Sequence, residues 1–277
     1  MAKIKTSSAE TVAALLKAMI AAAAEAELLI LAAHSRPVGE DGTEIKLDGT
    51  PVTKADKQSE AIIPQSLEEA FPHIPLIGEE SVNAGVIPAL GDGPFFLIDP
   101  LDGTKEFEKR GDDFTINIAF IEDGRPVIGV VLAPAHGELF TGSPMGAYKA
   151  RRDEDGAYGA CHVIAARSRP VKPVVIVSAS RRPPELIAYL DSLEGPFEER
   201  QIGSLLKVCR IAEGKADIYP CPMSTSVWDT AASHAVLEAA GGRLCQWKDG
   251  AALQYDGKRF CTQNGFLNPH FIAFGAP

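Results

Sequence analysis

The string FFLIDPLDGTKEF brings two carboxylates and several backbone groups into one short turn. An apolar run meets Asp99, and Pro100, which has no N–H to give, is expected to stop the strand there. Asp102 follows three residues after Asp99. In so tight a turn both carboxylates and the Leu101 carbonyl can face one point. Gly103 and Thr104 then open the next segment with backbone N–H groups, which places an anion site beside a cation site. Carboxylate and carbonyl oxygens with open water positions suit a hard cation such as Mg²⁺, which commonly shares its shell with substrate phosphate. The chemistry this predicts is metal-assisted phosphoryl transfer.

Asp-Pro and Asp-Gly are also ordinary turn chemistry, so the string alone reads equally as a surface turn. Two further acidic motifs weigh against that. Glu79 and Glu80 follow the apolar PLIG, and Asp229 stands in SVWDTAA at the start of a helix, behind Trp228. Glu79 by itself could be a solvated strand end, and Asp229 by itself a helix cap. Together with Asp99 and Asp102 they predict a metal centre.

Other chemistries find no support. CPMSTS lacks the GxSxG surroundings of a nucleophile elbow. The histidines 34, 73, 136, 162, 234 and 270 show no HExxH spacing, and His234 reads as packing. Cys161, Cys209, Cys221, Cys245 and Cys261 are odd in number and form no CxxC pair, which predicts reduced, buried thiols in a cytoplasmic protein. The formal net charge of −10 argues against nucleic acid as a partner. It does not argue against a small anion, because a bound divalent ion inverts the local field.

The 277 residues, 45% of them hydrophobic, can bury a large core. Ser7 and Glu10 have capping-box spacing before an Ala-rich amphipathic helix over 8–33. No stretch is long and apolar enough to span a bilayer, although the amphipathic first helix leaves peripheral membrane attachment open. A helix passes through Ile62 and Leu67 to Phe71. FTINIAFIEDGRPVIGVVLAP reads as two strands joined at 122–126, and GELFTG and GAYKA continue the run. The N-terminal sheet is therefore expected to be largely antiparallel. Near Arg167 the pattern changes. VKPVVIVSAS, IYPCP, GRLCQW and FIAFGAP read as strands; PELIAYLDSL, GSLLKVCRIAEGKAD and VWDTAASHAVLEAAGG read as helices, the last stopped by Gly241 and Gly242. The division falls as 1–166, with most of the acids, and 167–277, which completes the site within one unit.

GEE, DPLDGT and WDTAA, in this order, resemble the inositol monophosphatase superfamily of lithium-sensitive, magnesium-dependent phosphatases. The likeness runs over nearly the whole chain. DPLDGTKEF followed by GDDFTINIAFIEDGRPVIGVVLAP is similar to the bacterial CysQ-type 3′(2′),5′-bisphosphate nucleotidases. Simple inositol monophosphatases usually follow DGT with Asn, where this chain has Lys105 and Glu106.

The resemblance implies an α+β fold layered as an αβαβα sandwich. It implies two or three Mg²⁺ ions on Glu79, Asp99, the Leu101 carbonyl, Asp102 and Asp229. It also implies that Asp56 and Thr104 orient an attacking water, with Glu79 able to assist as a base. Gly103, Thr104, Lys105, Ser204, Lys207 and Asp229 are the implied substrate contacts. The implied reaction removes the 3′-phosphate of adenosine 3′,5′-bisphosphate, a by-product of sulfate assimilation; its sulfated form, PAPS, is a possible second substrate.

Two segments depart from the family pattern: Gly203-Ser204-Leu205-Leu206-Lys207 and Ser178-Ala179-Ser180-Arg181. Both fall where the family meets the nucleoside. An inositol-1-phosphate or other sugar-phosphate phosphatase of the same superfamily therefore stays open. So does a non-catalytic sensor of metal and phosphate, although a sensor would be expected to have lost an acid.

Overall fold

The computed structural model describes residues 6–36, 44–45, 51–52, 54–178, 181–261 and 263–277. Helix α1 (Ala9–His34) buries Val12, Leu15, Met19, Ala22, Ala26 and Ile30, the three-to-four-residue spacing of one helical face. Its cap lies one residue later than expected: Ser8 Oγ accepts from Thr11 N at 3.1 Å, so Ser7 and Glu10 do not form the capping pair. Strands β1 (Glu44–Ile45) and β2 (Pro51–Val52) pair antiparallel. Helix α2 (Lys54–Ala70) lies beside α1, and their apolar faces share one core with Phe96, Ile98, Ile118 and Phe120. The apolar face of α1 is thus turned into the protein. Among the described residues no helix is long and apolar enough to cross a membrane.

The first large sheet runs in chain order: β3 (Leu76–Gly78), β4 (Phe95–Asp102), β5 (Thr115–Glu122), β6 (Arg125–Ala133), β7 (Glu138–Ser143), β8 (Gly146–Arg151) and β9 (His162–Val163). Only the β3–β4 pairing is parallel. This is the antiparallel sheet that the string of hairpins predicts. Short helices α3 (Glu79–Asn83) and α4 (Thr104–Glu108) follow β3 and β4 directly. Alternation sends Phe96 and Ile98 toward α1 and α2, and Phe95 and Leu97 to the opposite face.

Pro100 does not end β4. The strand continues to Asp102 through a register shift: Asp99 pairs with Asn117 and Asp102 with Thr115. A β-bulge absorbs the missing N–H and re-aims the side chains on either side of it.

The second sheet has the order β11-β10-β12-β14-β13. Its strands are β10 (Val174–Ser178), β11 (Glu198–Ile202), β12 (Ile218–Cys221), β13 (Arg243–Gln246) and β14 (Phe271–Phe274). The edge strand β11 was not anticipated, because EERQI has no apolar run and its residues are mostly exposed. Helix α5 (Pro184–Asp191) covers the outer face with Leu186 and Leu190. Helices α6 (Leu206–Ala212) and α7 (Val227–Ala239) fill the layer between the sheets, in one core with Leu97, Ile121, Ile176 and Phe271. The layers are therefore α, β, α, β, α.

Two devices fix the middle layer. Helix α7 presses directly on the first sheet: a Cβ on Gly129 would lie 2.1 Å from the Ala232 carbonyl oxygen, so only glycine fits there. Helix α6 is tied down by a buried ion network. Lys149 Nζ lies 2.6 Å from Glu138 and 2.7 Å from Glu213, and Arg210 Nη1 lies 2.6 Å from both carboxylates. Burial pushes the Glu138 and Glu213 carboxyls up, but these cations outweigh it and hold both below the usual range.

The free thiols depart from expectation at one position. Cys209 and Cys221 are buried and Cys245 is half-buried, but Cys161 is exposed. The side chain of Cys261 lies outside the described residues.

Candidate active site

Asp99 is 1% exposed and sits at the bulge of β4, where its Oδ1 accepts from Leu101 N at 3.0 Å. Its carboxyl is pushed well above the usual range, first by burial and then by repulsion from Glu79, Asp102 and Asp229. Asp229 is raised in the same way, by burial and by Asp102 and Glu79. Three separated segments therefore deliver four mutually repelling carboxylates to one region. Glu79, Asp102 and Asp229 are half-buried around the buried Asp99.

Each acid is placed by a local rule. Gly78 is the N-cap of α3, so Glu79 stands in a first helical turn, not at a strand end. Asp229 is both cap and cluster member. It occupies the third position of α7, and its Oδ2 accepts from Ser226 N at 2.8 Å in a capping box with the Ser226 side chain.

Asp102 Oδ2 accepts from Leu205 N at 2.5 Å and from Thr115 Oγ1 at 3.4 Å. Burial lifts its carboxyl to about 6, against the pull of Lys207 and the Leu205 amide. The Leu205 bond ties the β4 turn to the loop before α6, at the middle of the molecule.

Gly103 caps α4 at φ 92°, a left-handed conformation that favours glycine. Helix α4 is anchored by buried Phe107, whose ring lies 5.2 Å from Phe114 and 5.1 Å from His34. That anchor holds Thr104, whose Oγ1 donates to the Leu101 carbonyl at 3.2 Å. A carbonyl has two lone pairs, so Leu101 keeps one for a second partner.

Of the substrate contacts implied by resemblance, Lys207 interacts with Asp102 and Ser204 lies against Gly103. Lys207 is buried, donates to the Ser204 carbonyl and lies 5.3 Å over the Tyr219 ring. Burial lowers its pKa, opposed by Asp102, Glu106 and Asp113. Ser204 is buried at φ 45° and its Oγ accepts from Leu206 N at 3.0 Å, so α6 begins two residues later than Ser204. Lys105 is exposed. The side chain of Asp56, together with Ala179 and Ser180, lies outside the described residues.

Three residues here were not singled out in sequence. Asp113 accepts from Gly203 N at 2.8 Å and pairs with His136 Nε2 at 2.9 Å. Burial would raise its carboxyl, but these partners and Lys207 hold it below the usual range. Thr115 and Asn117 lie opposite Asp102 and Asp99 in the ladder. The signal was a polar alternation at 113, 115 and 117 leading into an otherwise apolar strand. Asn117 is fully buried and neither amide atom has a partner among the described residues.

Among the described residues no three His, Cys, Asp or Glu side chains already stand in a closed metal-ligating set. The donor chemistry nevertheless suits a hard cation. Four carboxylates crowd one region and lose proton affinity only when a positive charge joins them, and oxygen ligands are what Mg²⁺ takes. The orphaned Asn117 amide beside Asp99 adds polar capacity where water held by a cation would need partners.

Comparison with known proteins agrees with the fold and the motifs. The profile of the "Inositol monophosphatase family" matches residues 11–272. The 3′(2′),5′-bisphosphate nucleotidase CysQ of Salmonella typhimurium is 41% identical over 226 residues, 82% of this chain and 86% of that protein. Its Escherichia coli K12 counterpart is 39% identical over the same length. The crystal structure of CysQ from Bacteroides thetaiotaomicron superposes with a TM-score of 0.77 at 32% identity, covering 94% of this chain and 97% of that one. An Anabaena inositol monophosphatase shares the fold at a TM-score of 0.69 and 23% identity, over 95% of this chain and 90% of that one. The chain belongs to the inositol monophosphatase family.

Proposed function

We propose that this protein is a Mg²⁺-dependent phosphomonoesterase that removes the 3′-phosphate of adenosine 3′,5′-bisphosphate, giving AMP and phosphate. The observation that carries the reading is the meeting of Glu79, Asp99, Asp102 and Asp229 from separate segments. The nucleotide substrate rests on relatives named 3′(2′),5′-bisphosphate nucleotidase at 39–41% identity.

Glu79, Asp99, Asp102, Asp229 and the Leu101 carbonyl are the groups that would hold metal. When bound, Mg²⁺ neutralises phosphoryl charge and makes hydroxide available near neutral pH. The chain's own part is positioning, which dominates catalysis of phosphoryl transfer. The Thr104 hydroxyl, held at the Leu101 carbonyl, orients the attacking water together with Asp56. The Gly103 and Thr104 amides receive phosphoryl oxygens at the start of α4. Lys207, with Ser204, supplies a positive charge on the α6 side for the second phosphate.

The test is phosphate release with Mg²⁺ from adenosine 3′,5′-bisphosphate and from inositol 1-phosphate at matched concentrations. A strong preference for the nucleotide supports the proposal. A preference for the inositol ester keeps the metal site and moves the substrate assignment. Release from neither, with Mg²⁺ bound, returns the protein to a sensing role.

A further inference from the structure

We infer that Asn268 is a positioning residue for Asp229, acting through the first turn of α7; the inference rests on the reading of Asp229 as a metal ligand. Asp229 reaches the acid cluster only if the start of α7 is held in place. Its own capping bond to Ser226 N fixes its carboxylate to residue 226, not to the rest of the molecule. The segment carrying Asn268 makes that second connection.

Asn268 is 7% exposed, and its Nδ2 lies 2.6 Å from the Ser226 carbonyl oxygen, 3.1 Å from Thr225 Oγ1 and 3.0 Å from Thr230 Oγ1. A carbonyl only accepts, so the group facing Ser226 must be the amide NH₂, which fixes the orientation of the side chain. One N–H serves Ser226 and the other is shared by the two hydroxyls.

The backbone repeats the connection. Asn268 N donates to the Thr225 carbonyl at 2.8 Å, and Ser226 and Leu267 form an antiparallel bridge. Phe266, one residue earlier, packs at 5.3 Å on Trp228, the neighbour of Asp229. Residues 225, 226, 228 and 230 are thus gripped on both sides of Asp229. Thr230 also bonds Tyr255 Oη at 3.0 Å, which anchors the grip in the core.

A capping box alone would leave the first helical turn free to fray, as helix ends do. With Asn268 in place, the Ser226 N–H that orients Asp229 belongs to a peptide whose neighbours are pinned. Losing that grip should weaken metal binding before it weakens chemistry at saturating metal, because the carboxylate is still present and only its position is less defined.

The test compares wild type with Asn268→Asp, Asn268→Ala, Asp229→Asn and Leu190→Ala. Asn268→Asp is isosteric but places a carboxylate oxygen against the Ser226 carbonyl. Leu190→Ala opens the remote α5 core as a control for general destabilisation. Calorimetric Mg²⁺ binding and the Mg²⁺ concentration for half-maximal phosphate release are measured for each.

The proposal expects about tenfold weaker Mg²⁺ binding in both Asn268 variants, with kcat at saturating Mg²⁺ largely recovered. Leu190→Ala should lower Tm without moving Mg²⁺ affinity. Should the Asn268 variants not fold, Thr225→Val, which removes one acceptor, is expected to shift Mg²⁺ affinity in the same direction by less. Wild-type Mg²⁺ affinity in the Asn268 variants, beside weakened binding in Asp229→Asn, would overturn the proposal alone. Unchanged affinity in Asp229→Asn would overturn the ligand reading on which it rests.

Discussion

Replacing Asp102 by Asn should make the metal-free protein more stable while disabling it. Burial is the largest cause lifting the Asp102 carboxyl from an ordinary 3.8 to about 6. A proton therefore binds the folded chain more tightly than the unfolded one. The metal-free protein loses stability as pH rises from about 4 to about 6, and the loss is complete above that. At about 1.36 kcal/mol per tenfold change in proton affinity, the displacement from 3.8 to about 6 is a penalty of roughly 3 kcal/mol at pH 7.5. Asn carries no charge to desolvate, and its Oδ1 can still accept from Leu205 N.

In EDTA at pH 7.5, Asp102→Asn should thus melt about 6–12 °C above wild type, taking roughly 2–4 °C per kcal/mol for a chain of this size. At pH 4 the two should nearly coincide. Adding Mg²⁺ should reverse the order, because only the wild type keeps the full ligand set. Thermal melts at three pH values, with EDTA and with Mg²⁺, check this. Equal melting of the two proteins in EDTA at pH 7.5 would refute the idea that burial of the Asp102 carboxylate destabilises the metal-free fold.

Three further outcomes follow from the same geometry. Gly129→Ala should push α7 off the sheet, since its Cβ would lie 2.1 Å from the Ala232 carbonyl; overpacking of this kind costs about 1–3 kcal/mol or more, read as a lower Tm. Lys207→Met should raise KM for the bisphosphate yet tighten Mg²⁺, because it removes a positive charge close to Asp102; a substrate titration and a Mg²⁺ titration on the same variant separate the two signs. Mg²⁺ at about a hundred times its dissociation constant should stabilise the wild type by ~2.7 kcal/mol, a gain that calorimetry should find lost in Asp99→Asn.

The placement of the acidic motifs was legible because turn chemistry and helix capping are local rules. DPLDGT and WDTAA sit where those rules put them, and the antiparallel sheet followed from the hairpins. What stayed hidden depended on partners far along the chain. Pro100 looked like a strand stop, but the β5 ladder carries the strand past it through a bulge. Glu79 looked like a strand end, but it opens a helical turn. The edge strand β11 has no apolar periodicity, since it is held by backbone pairing to β10. Asp113 takes its place from His136 and Gly203, 23 and 90 residues away along the chain. Asn268 lies 38 residues from Thr230, a contact no local pattern encodes.

The most direct test of the account is phosphate release by Asp99→Asn at saturating Mg²⁺. Asp99 is the buried member of the cluster, and the other three acids are half-buried around it. The account predicts a loss of several orders of magnitude in kcat, with a melt in EDTA at least as high as wild type. Turnover near that of the wild type would contradict it.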